Sequence, residues 1–508
     1  MEDREQAGPR ATRREWIGLA VLALPCVLYS LDLTVLNLAL PRLSEELAPG
    51  SAQLLWIVDI YGFMVAGSLI TMGTLGDRIG RRRLLLIGAA AFGLASVVAA
   101  FSRTAAMLIA ARALLGMAGA TLAPSTLSLI RNMFHDARDR RVAISVWVMS
   151  YSVGAAIGPL LGGLVLQHFR WGSVFLLSVP VMALLLLLGP SLLPEYRDPA
   201  AGRLDLPSAA LSLVAVLAVV FGLKRIAEAG ARQALPAAGA VALGLLAGWM
   251  FVRRQRTLAD PLIDLRLFRV RTFSASLATY ALACFVAFGS YVFIAQYLQL
   301  VLGLSPLRAG LWTLPWSGGF VVGSLVTPAL AKRAPTATVM WVGLMVGAAG
   351  FVILARAGVS AGLAAVAVGS ALWALGSSPA FTLANDLIIA AAPPERAGAA
   401  AGISETSAEL GGALGIALLG SLGTVTYRSR MEAAALPGIP RDLLAQARGT
   451  LGGAAAAASG GRLSAPDAAG LLREAHEAFV ASMSLVSVIC AVLVVATAIV
   501  TAVLLRRA

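Results

Sequence analysis

Long apolar stretches of about 20 residues, separated by short polar segments, set the pattern of this chain. At 1.5 Å per residue, about 20 helical residues cross a hydrocarbon core of about 30 Å. Stretches of this kind cover residues 16–40, 53–72, 83–101, 105–129, 142–166, 172–193, 207–226, 236–252, 273–301, 310–330, 338–356, 360–390, 398–424 and 478–504. The pattern predicts an all-α polytopic membrane protein with about fourteen transmembrane helices. Most connections are short, so sequence neighbours are expected to be antiparallel neighbours in space. The first apolar run is long, contains Asp32 and lacks a clear small-residue cleavage site. It reads as a span, not a cleavable signal.

Two connections differ from the rest. Residues 253–272, RRQRTLADPLIDLRLFRVRT, are basic and partly amphipathic. They suit a cytoplasmic interfacial helix or a plain connector. Residues 425–477 are rich in Ala and Gly and include AAAAASGG at 454–461. They suit a loose loop, a short helical hairpin or a plain connector on the opposite side.

Composition supports the bilayer as solvent. The chain is 59% hydrophobic and 13% charged, against about 25% charged in soluble domains. The net charge of +14 does not point to nucleic acid. Basic residues lie in short runs between apolar segments, such as Arg81-Arg82-Arg83 and Arg253-Arg254, without interleaved aromatics for base stacking. With a cytoplasmic N-terminus, about 25 of the 40 Lys and Arg fall inside and about 14 outside. Six of the outside ones lie in 425–477, a loop long enough to be largely exempt from the positive-inside rule. An even number of spans puts both termini inside. Cys26, Cys284 and Cys490 each sit within an apolar segment and read as packing residues. The three His are scattered, so neither a metal site nor a disulfide framework is expected. No nucleotide-binding G-x-x-x-x-G-K-[ST] loop occurs. No cofactor and no enzymatic activity are expected.

The acids inside the apolar runs carry the chemistry. A charged side chain at a bilayer centre costs about 2.5–3.5 kcal/mol on insertion scales, so such residues generally face a bundle interior or a water-filled cavity. Asp32 lies midway or further out along the first span, and Asp59 near the start of the second. Glu405 and Glu409 are four apart and share one helix face. Counted from residue 398, they lie about 11 and about 17 Å along their span. Asp386 is nearer the inner end of span twelve and could instead cap or anchor a helix end. Burial disfavours the charged form of a carboxyl and a nearby cation favours it. Proton and cation then compete for one group. Arg112 is the strongly embedded base, and it needs a carboxylate or carbonyl partner. Asp32 can serve, in a coupling role or as structural glue.

The segment GTLGDRIGRRR at 73–83 joins spans two and three. Gly73, Gly76 and Gly80 permit a tight turn and close helix approach. Asp77 can accept from a helix N-terminus or pair with Arg78 or Arg81, as a latch that forms in one conformation and breaks in another. On span five, Gly154, Gly158 and Gly162 recur every four residues, with Pro159 interrupting. That spacing allows close helix crossing, in a sealing helix or in ordinary packing.

GTLGDRIGRRR resembles the loop signature of the major facilitator superfamily. LDLTVLNLALP at 31–41, WIVDIY at 56–61, GAAIGPLLGG at 154–163 and ISETSAELGG at 403–412 narrow the likeness to the fourteen-helix drug:proton antiporters, over residues 16–504. The resemblance implies a major facilitator fold: a cytoplasmic N-terminus at 1–15, a six-helix bundle at 16–193, two extra central helices at 194–252, the linker at 253–272, a second six-helix bundle at 273–504 and a cytoplasmic C-terminus at 505–508. It assigns Asp32 to the proton-coupling acid, Asp59, Glu405 and Glu409 to further acids along the cargo path, and Arg112 to the signature beside the proton acid. It makes 154–163 an antiporter helix. The equivalent second-half loop, AKRAP at 331–335, lacks the Gly-Asp pattern, so no matching latch is expected there.

The resemblance further implies a monomeric inner-membrane antiporter that exports lipophilic, often cationic, compounds such as quaternary ammonium biocides and dyes in exchange for protons. A broad-specificity pocket should be apolar and aromatic with few fixed polar contacts. Trp56, Tyr61, Phe285, Phe288, Tyr291, Phe293 and Trp316 could line it, with Asn37 and Gln296 adding polar contacts; each could equally face lipid or pack between helices. Two alternatives stay open: a dedicated exporter of one metabolite or antibiotic, and a membrane sensor or scaffold without transport.

Overall fold

The computed structural model describes residues 10–47, 51–197, 205–229, 234–258, 261–304, 306–359, 362–393, 397–434, 436 and 438–505. All regular structure among these residues is helical. The first half contains α1 (Arg13–Leu47), α2 (Ser51–Ile79), α3 (Arg81–Ala100), α4 (Ala105–Gly119), α5 (Leu122–Met133), α6 (Ala137–His168), α7 (Ser173–Leu176) and α8 (Ser178–Leu192). A hairpin of α9 (Leu206–Ala229) and α10 (Ala234–Gln255) follows. The second half contains α11 (Arg271–Gln296), α12 (Pro306–Trp312), α13 (Leu314–Leu330), α14 (Thr336–Leu354), α15 (Gly362–Ala391), α16 (Ala397–Ala433), α17 (Arg441–Gly449), α18 (Leu451–Ser459) and α19 (Ala465–Leu504). Among the described residues, each apolar interval of the sequence falls mainly on one helix or on abutting helices. Among the described residues, 10 helices are long and apolar enough to cross a membrane. Shorter apolar stretches, Ile60–Leu69 and Leu206–Gly222, lie on α2 and α9.

Local chemistry sets the helix ends. The Asp136 carboxylate accepts from the backbone N–H of Arg138 and Asp139 and starts α6. The Thr104 hydroxyl accepts from Met107 N–H at α4, and the Ser464 hydroxyl from Asp467 N–H at α19. Between α2 and α3 the chain reverses at Gly80, whose φ of 111° favours glycine.

The two halves repeat one packing scheme. In the first, α1 packs on α6, α2 on α4, and α3 on α8. In the second, α11 packs on α16, α13 on α15, and α14 on α19. Two apolar cores result: the first fills the first half and continues into α11, α14, α15 and α16, and the second lies wholly within the second half. The seams between halves are also paired: α2 meets α16, and α6 meets α13. The central hairpin breaks the symmetry, because α9 packs on both α2 and α16. Phe63, Ala66, Val216, Val220 and Ala413 form a small buried cluster there.

The linker after α10 differs from an interfacial helix. It holds a five-residue 3-10 turn, Leu265–Arg269, and its Leu262, Ile263 and Leu267 are buried in the first core. Hydrogen bonding explains the placement. Gln255 Oε1 accepts from Leu262 N–H at 2.7 Å, and Thr74 Oγ1 of α2 donates to Leu262 O at 3.1 Å. The segment 425–477 takes the helical-hairpin form. α16 and α19 extend into it, and α17 and α18 pack between them through buried Leu443, Ala447, Leu451 and Ala454. Tyr427 Oη donates to Ala447 O at 2.9 Å.

Candidate functional site

Three of the sequence-predicted acids converge between the halves. Asp32 on α1 lies 3.5 Å from Arg112 Nη1 on α4, whose side chain is 1% exposed. Arg112 is stacked over the ring of Tyr61 on α2, with Cζ 5.2 Å from the centroid, and Phe175 lies 6.0 Å away. A buried guanidinium needs such neighbours, since leaving it uncompensated costs about 3–5 kcal/mol. α4 can come this close to α2 because Gly116 faces the Tyr61 carbonyl: an added Cβ would sit 2.5 Å from that oxygen.

The other two acids project from α16. Tyr29 Oη on α1 donates to Glu409 Oε1 at 2.9 Å, and Tyr280 Oη on α11 donates to Glu405 Oε1 at 3.5 Å. The Tyr29 ring stands 5.9 Å from both Tyr61 and Tyr151, and Tyr280 packs edge-on against Phe381 at 5.5 Å. The result is an aromatic space shared, among the described residues, by three carboxyls and one guanidinium. Such a space attracts protons or an organic cation, and the ring faces add cation–π attraction.

Asp386 is not in this group. It lies 2.8 Å from Arg140 Nε and 3.6 Å from Arg141 Nε, both near the start of α6. Nearby, Arg131 at the end of α5 donates to the carbonyls of Ile389 and Ala392. Asp77 belongs to the same end of the molecule. It accepts from Arg81 Nε at 2.9 Å, and its other oxygen accepts from Ala399 N–H at 3.1 Å, in the first turn of α16. The 73–83 segment thus joins the two halves at a helix N-terminus, where an anion is favoured. Gly76 makes room for Arg81, whose Cζ would lie 3.0 Å from a Cβ there, and Arg81 is fully buried. Gly73 is buried and Arg78 half-buried on the last turns of α2.

Gly154 and Gly162 lie in the α1–α6 seam, Gly154 against the Val27 carbonyl and Gly162 against the Val35 side chain; Gly158 between them is buried. Gly411 and Gly415 make the matching approach of α16 to the Ala281 and Phe285 carbonyls of α11. Of the aromatic candidates, Tyr61 alone is placed by these contacts at the acids. Trp56 stacks on Phe221 of α9 at 5.9 Å, Tyr291 packs edge-on against Trp316 at 5.6 Å, and Phe288 lies against Gly412. Phe293 packs against Phe479, Phe285 joins the second core, and Gln296 is half-buried at the end of α11. The side chains of Asn37, Asp59 and Pro159 lie outside the described residues. Among the described residues, no cluster of His, Cys, Asp or Glu is arranged to hold a metal ion.

Sequence reasoning missed Tyr29, Tyr151, Tyr280, Arg131, Arg140 and Arg141. Tyr29 had a signal: it precedes Asp32 by three residues, on the same side of α1. In the sequence, Arg131, Arg140 and Arg141 read only as inside topology charges.

Comparison with known proteins places this architecture. Residues 22–416 match the family model described as Major Facilitator Superfamily. The multidrug efflux pump LfrA of Mycolicibacterium smegmatis is 44% identical over 498 residues, covering 98% of each chain. The methyl viologen resistance protein SmvA of Salmonella typhimurium is 36% identical over 443 residues, covering 86% of this chain and 88% of its own. The crystal structure of the human organic anion transporter MFSD10 (TETRAN) superposes with a TM-score of 0.61 at 15% identity, over 94% of this chain and 99% of that one. At that identity the likeness is one of fold.

Proposed function

This chain is a multi-pass membrane protein of the major facilitator superfamily, and on that premise we propose that it is a proton-coupled antiporter exporting lipophilic, often cationic, drugs from the cytoplasm. The observation that carries the proposal is the meeting of Asp32–Arg112, Glu405 and Glu409 in one aromatic space between two repeated bundles. The names of the relatives, a multidrug efflux pump and a methyl viologen resistance protein, support a drug cargo. In this reading the chain crosses the bacterial inner membrane fourteen times as a monomer, two six-helix bundles flanking the α9–α10 hairpin, with both termini cytoplasmic.

The cycle follows from competition for the carboxyls. With the site open to the cytoplasm, ionised Glu405 and Glu409 draw in the cation, which is held by charge and by the Tyr29, Tyr151 and Tyr280 rings. With the site open outward, protons from the more acidic medium neutralise the acids and the cation leaves. Return of the protonated carrier carries the protons inward. Asp32, paired with Arg112, is the proton-coupling acid of the first bundle, and Asp59 is a further acid of the path. Asp77–Arg81 on Ala399, with Asp386–Arg140, forms the cytoplasmic latch that closes the inner side while the outer side is open. Gly154, Gly158, Pro159 and Gly162 form the helix seam that limits leak. Trp56, Phe288, Tyr291, Trp316, Asn37 and Gln296 are assigned to the wider cargo path.

The test is ethidium export in proteoliposomes driven by an imposed pH gradient. Intact protein should concentrate the dye on the acidic side, and Asp32→Asn, Glu405→Gln and Arg112→Ala should lose this accumulation while keeping the fold. Equal export with and without the gradient would reject coupling.

A further inference from the structure

The acids form two groups on different bundles, and the structure contains a physical path between them. Glu405 and Glu409 sit on α16 of the second bundle, and Asp32 with Arg112 on α1 and α4 of the first. Tyr29 spans the gap: its backbone belongs to α1, one turn before Asp32, while its hydroxyl donates to Glu409 at 2.9 Å. Its ring lies 5.9 Å from that of Tyr61, which in turn lies under Arg112. Tyr61 is fully buried, and its hydroxyl has no hydrogen-bond partner among the described residues. A buried hydroxyl without a partner is uncommon. Here it means that ring contacts, those with Tyr29 and Arg112 included, hold Tyr61 without a hydroxyl bond to pin it. The path therefore runs Glu409, Tyr29, Tyr61, Arg112, Asp32, with each step a contact given above.

We infer that Tyr29 is the positioning residue through which occupancy of the carboxylate pair on the second bundle is sensed by the Asp32–Arg112 pair on the first. A phenol donates more strongly to a carboxylate than to a neutral acid. When a proton or a cargo cation takes Glu409, the Tyr29 hydroxyl loses its best acceptor. The ring then shifts against Tyr61, and Tyr61 shifts under Arg112. The guanidinium holds Asp32 more or less tightly as a consequence. The reverse path is required by linkage: a change at Asp32 alters cation affinity at Glu409 by the same factor. This rests on the antiport reading above, because it assumes that the α16 acids take an organic cation.

A double-mutant cycle on binding tests it without any gradient. Purified full-length protein in detergent is titrated with tetraphenylphosphonium, and the dissociation constant is read for the unaltered protein, Asp32→Asn, Tyr29→Phe and the double variant. Monodisperse elution and far-ultraviolet circular dichroism check the fold of each. Asp32→Asn should change the dissociation constant by about fivefold or more when Tyr29 is present, and by less than about twofold in the Tyr29→Phe background. Tyr61→Leu, which keeps Tyr29 and removes the intervening ring, should abolish the Asp32→Asn effect in the same way. An Asp32→Asn effect of equal size with and without the Tyr29 hydroxyl would overturn the inference, as would no effect of Asp32→Asn in the otherwise unaltered protein. Failure of the unaltered protein to bind tetraphenylphosphonium would instead overturn the cationic-cargo reading beneath it.

Discussion

Gly116→Ala adds one methyl group at the crossing of α4 and α2. Its Cβ would lie 2.5 Å from the Tyr61 carbonyl oxygen and 2.7 Å from Met64 Cβ. Nonbonded carbon atoms sit at about 3.5–4.0 Å, so the helices must part by roughly 1 Å. Overpacking of this kind costs about 1–3 kcal/mol. The same movement takes Tyr61 away from Arg112, from 5.2 Å towards the limit of about 6 Å at which cation–π attraction fades. Gly62→Ala is the matched control: it lies on α2, and its added Cβ would meet nothing within 4 Å. Both changes gain the same helix propensity, about 0.5–1 kcal/mol. Stability by SDS-unfolding titration should therefore place Gly116→Ala about 1–3 kcal/mol below Gly62→Ala. Gly116→Ala should also weaken tetraphenylphosphonium binding, through the displaced Tyr61. Equal stability of the two variants, with equal binding, would refute the reasoning that this close approach positions the site.

Other perturbations reach separate parts of the structure. Asp77→Asn leaves buried Arg81 without its carboxylate and should cost the clasped state about 3–5 kcal/mol; spin labels at Arg138 and Lys332 in a cysteine-free background should show longer distances than without it, and unchanged distances would remove Asp77 from the latch. Tyr427→Phe breaks the hydrogen bond to Ala447 and should loosen the 441–459 hairpin by about 1 kcal/mol; trypsin should cut faster at Arg448, and an unchanged rate counts against the contact. Asp205, just before α9, is held below the usual carboxylate range chiefly by hydrogen bonds from Arg254, at 2.7 and 3.0 Å. A depressed folded value means that its stabilisation is complete above the unfolded value of about 3.9 and is lost as pH falls through the lower folded one. The melting temperature of Asp205→Asn should trail that of the unaltered protein at pH 6, and the gap should close as pH falls towards 3; a gap that widens would contradict the sign.

The helices were legible because a bilayer demands long apolar runs, and the runs are plain in the sequence. Asp32 and Arg112 were legible as partners because two opposite charges in hydrocarbon have few other solutions. Glu405 and Glu409 could be placed on one face by spacing alone. Asp386 was harder: it stood open as a path acid or a helix-end anchor, and Arg140 and Arg141, distant in sequence, claim it. Tyr29 was missed because hydropathy treats a tyrosine in a span as filling, and its contact with Glu409 bridges 380 residues. The linker at 253–272 stayed open between a surface helix and a plain connector for a related reason. Its basic residues matched a membrane-surface helix, while the hydrogen bonds of Gln255 and Thr74 that draw Leu262 inward have no local signature.

Proton release on cargo binding tests the exchange most directly. The purified protein, in weakly buffered detergent solution with a pH indicator, is mixed with saturating tetraphenylphosphonium at a series of pH values between 5 and 8. Competition for the buried carboxyls predicts protons released into solution in proportion to bound cation, and release that falls sharply when Glu405→Gln and Glu409→Gln are combined. Stoichiometric binding with no proton release anywhere in that range would contradict it.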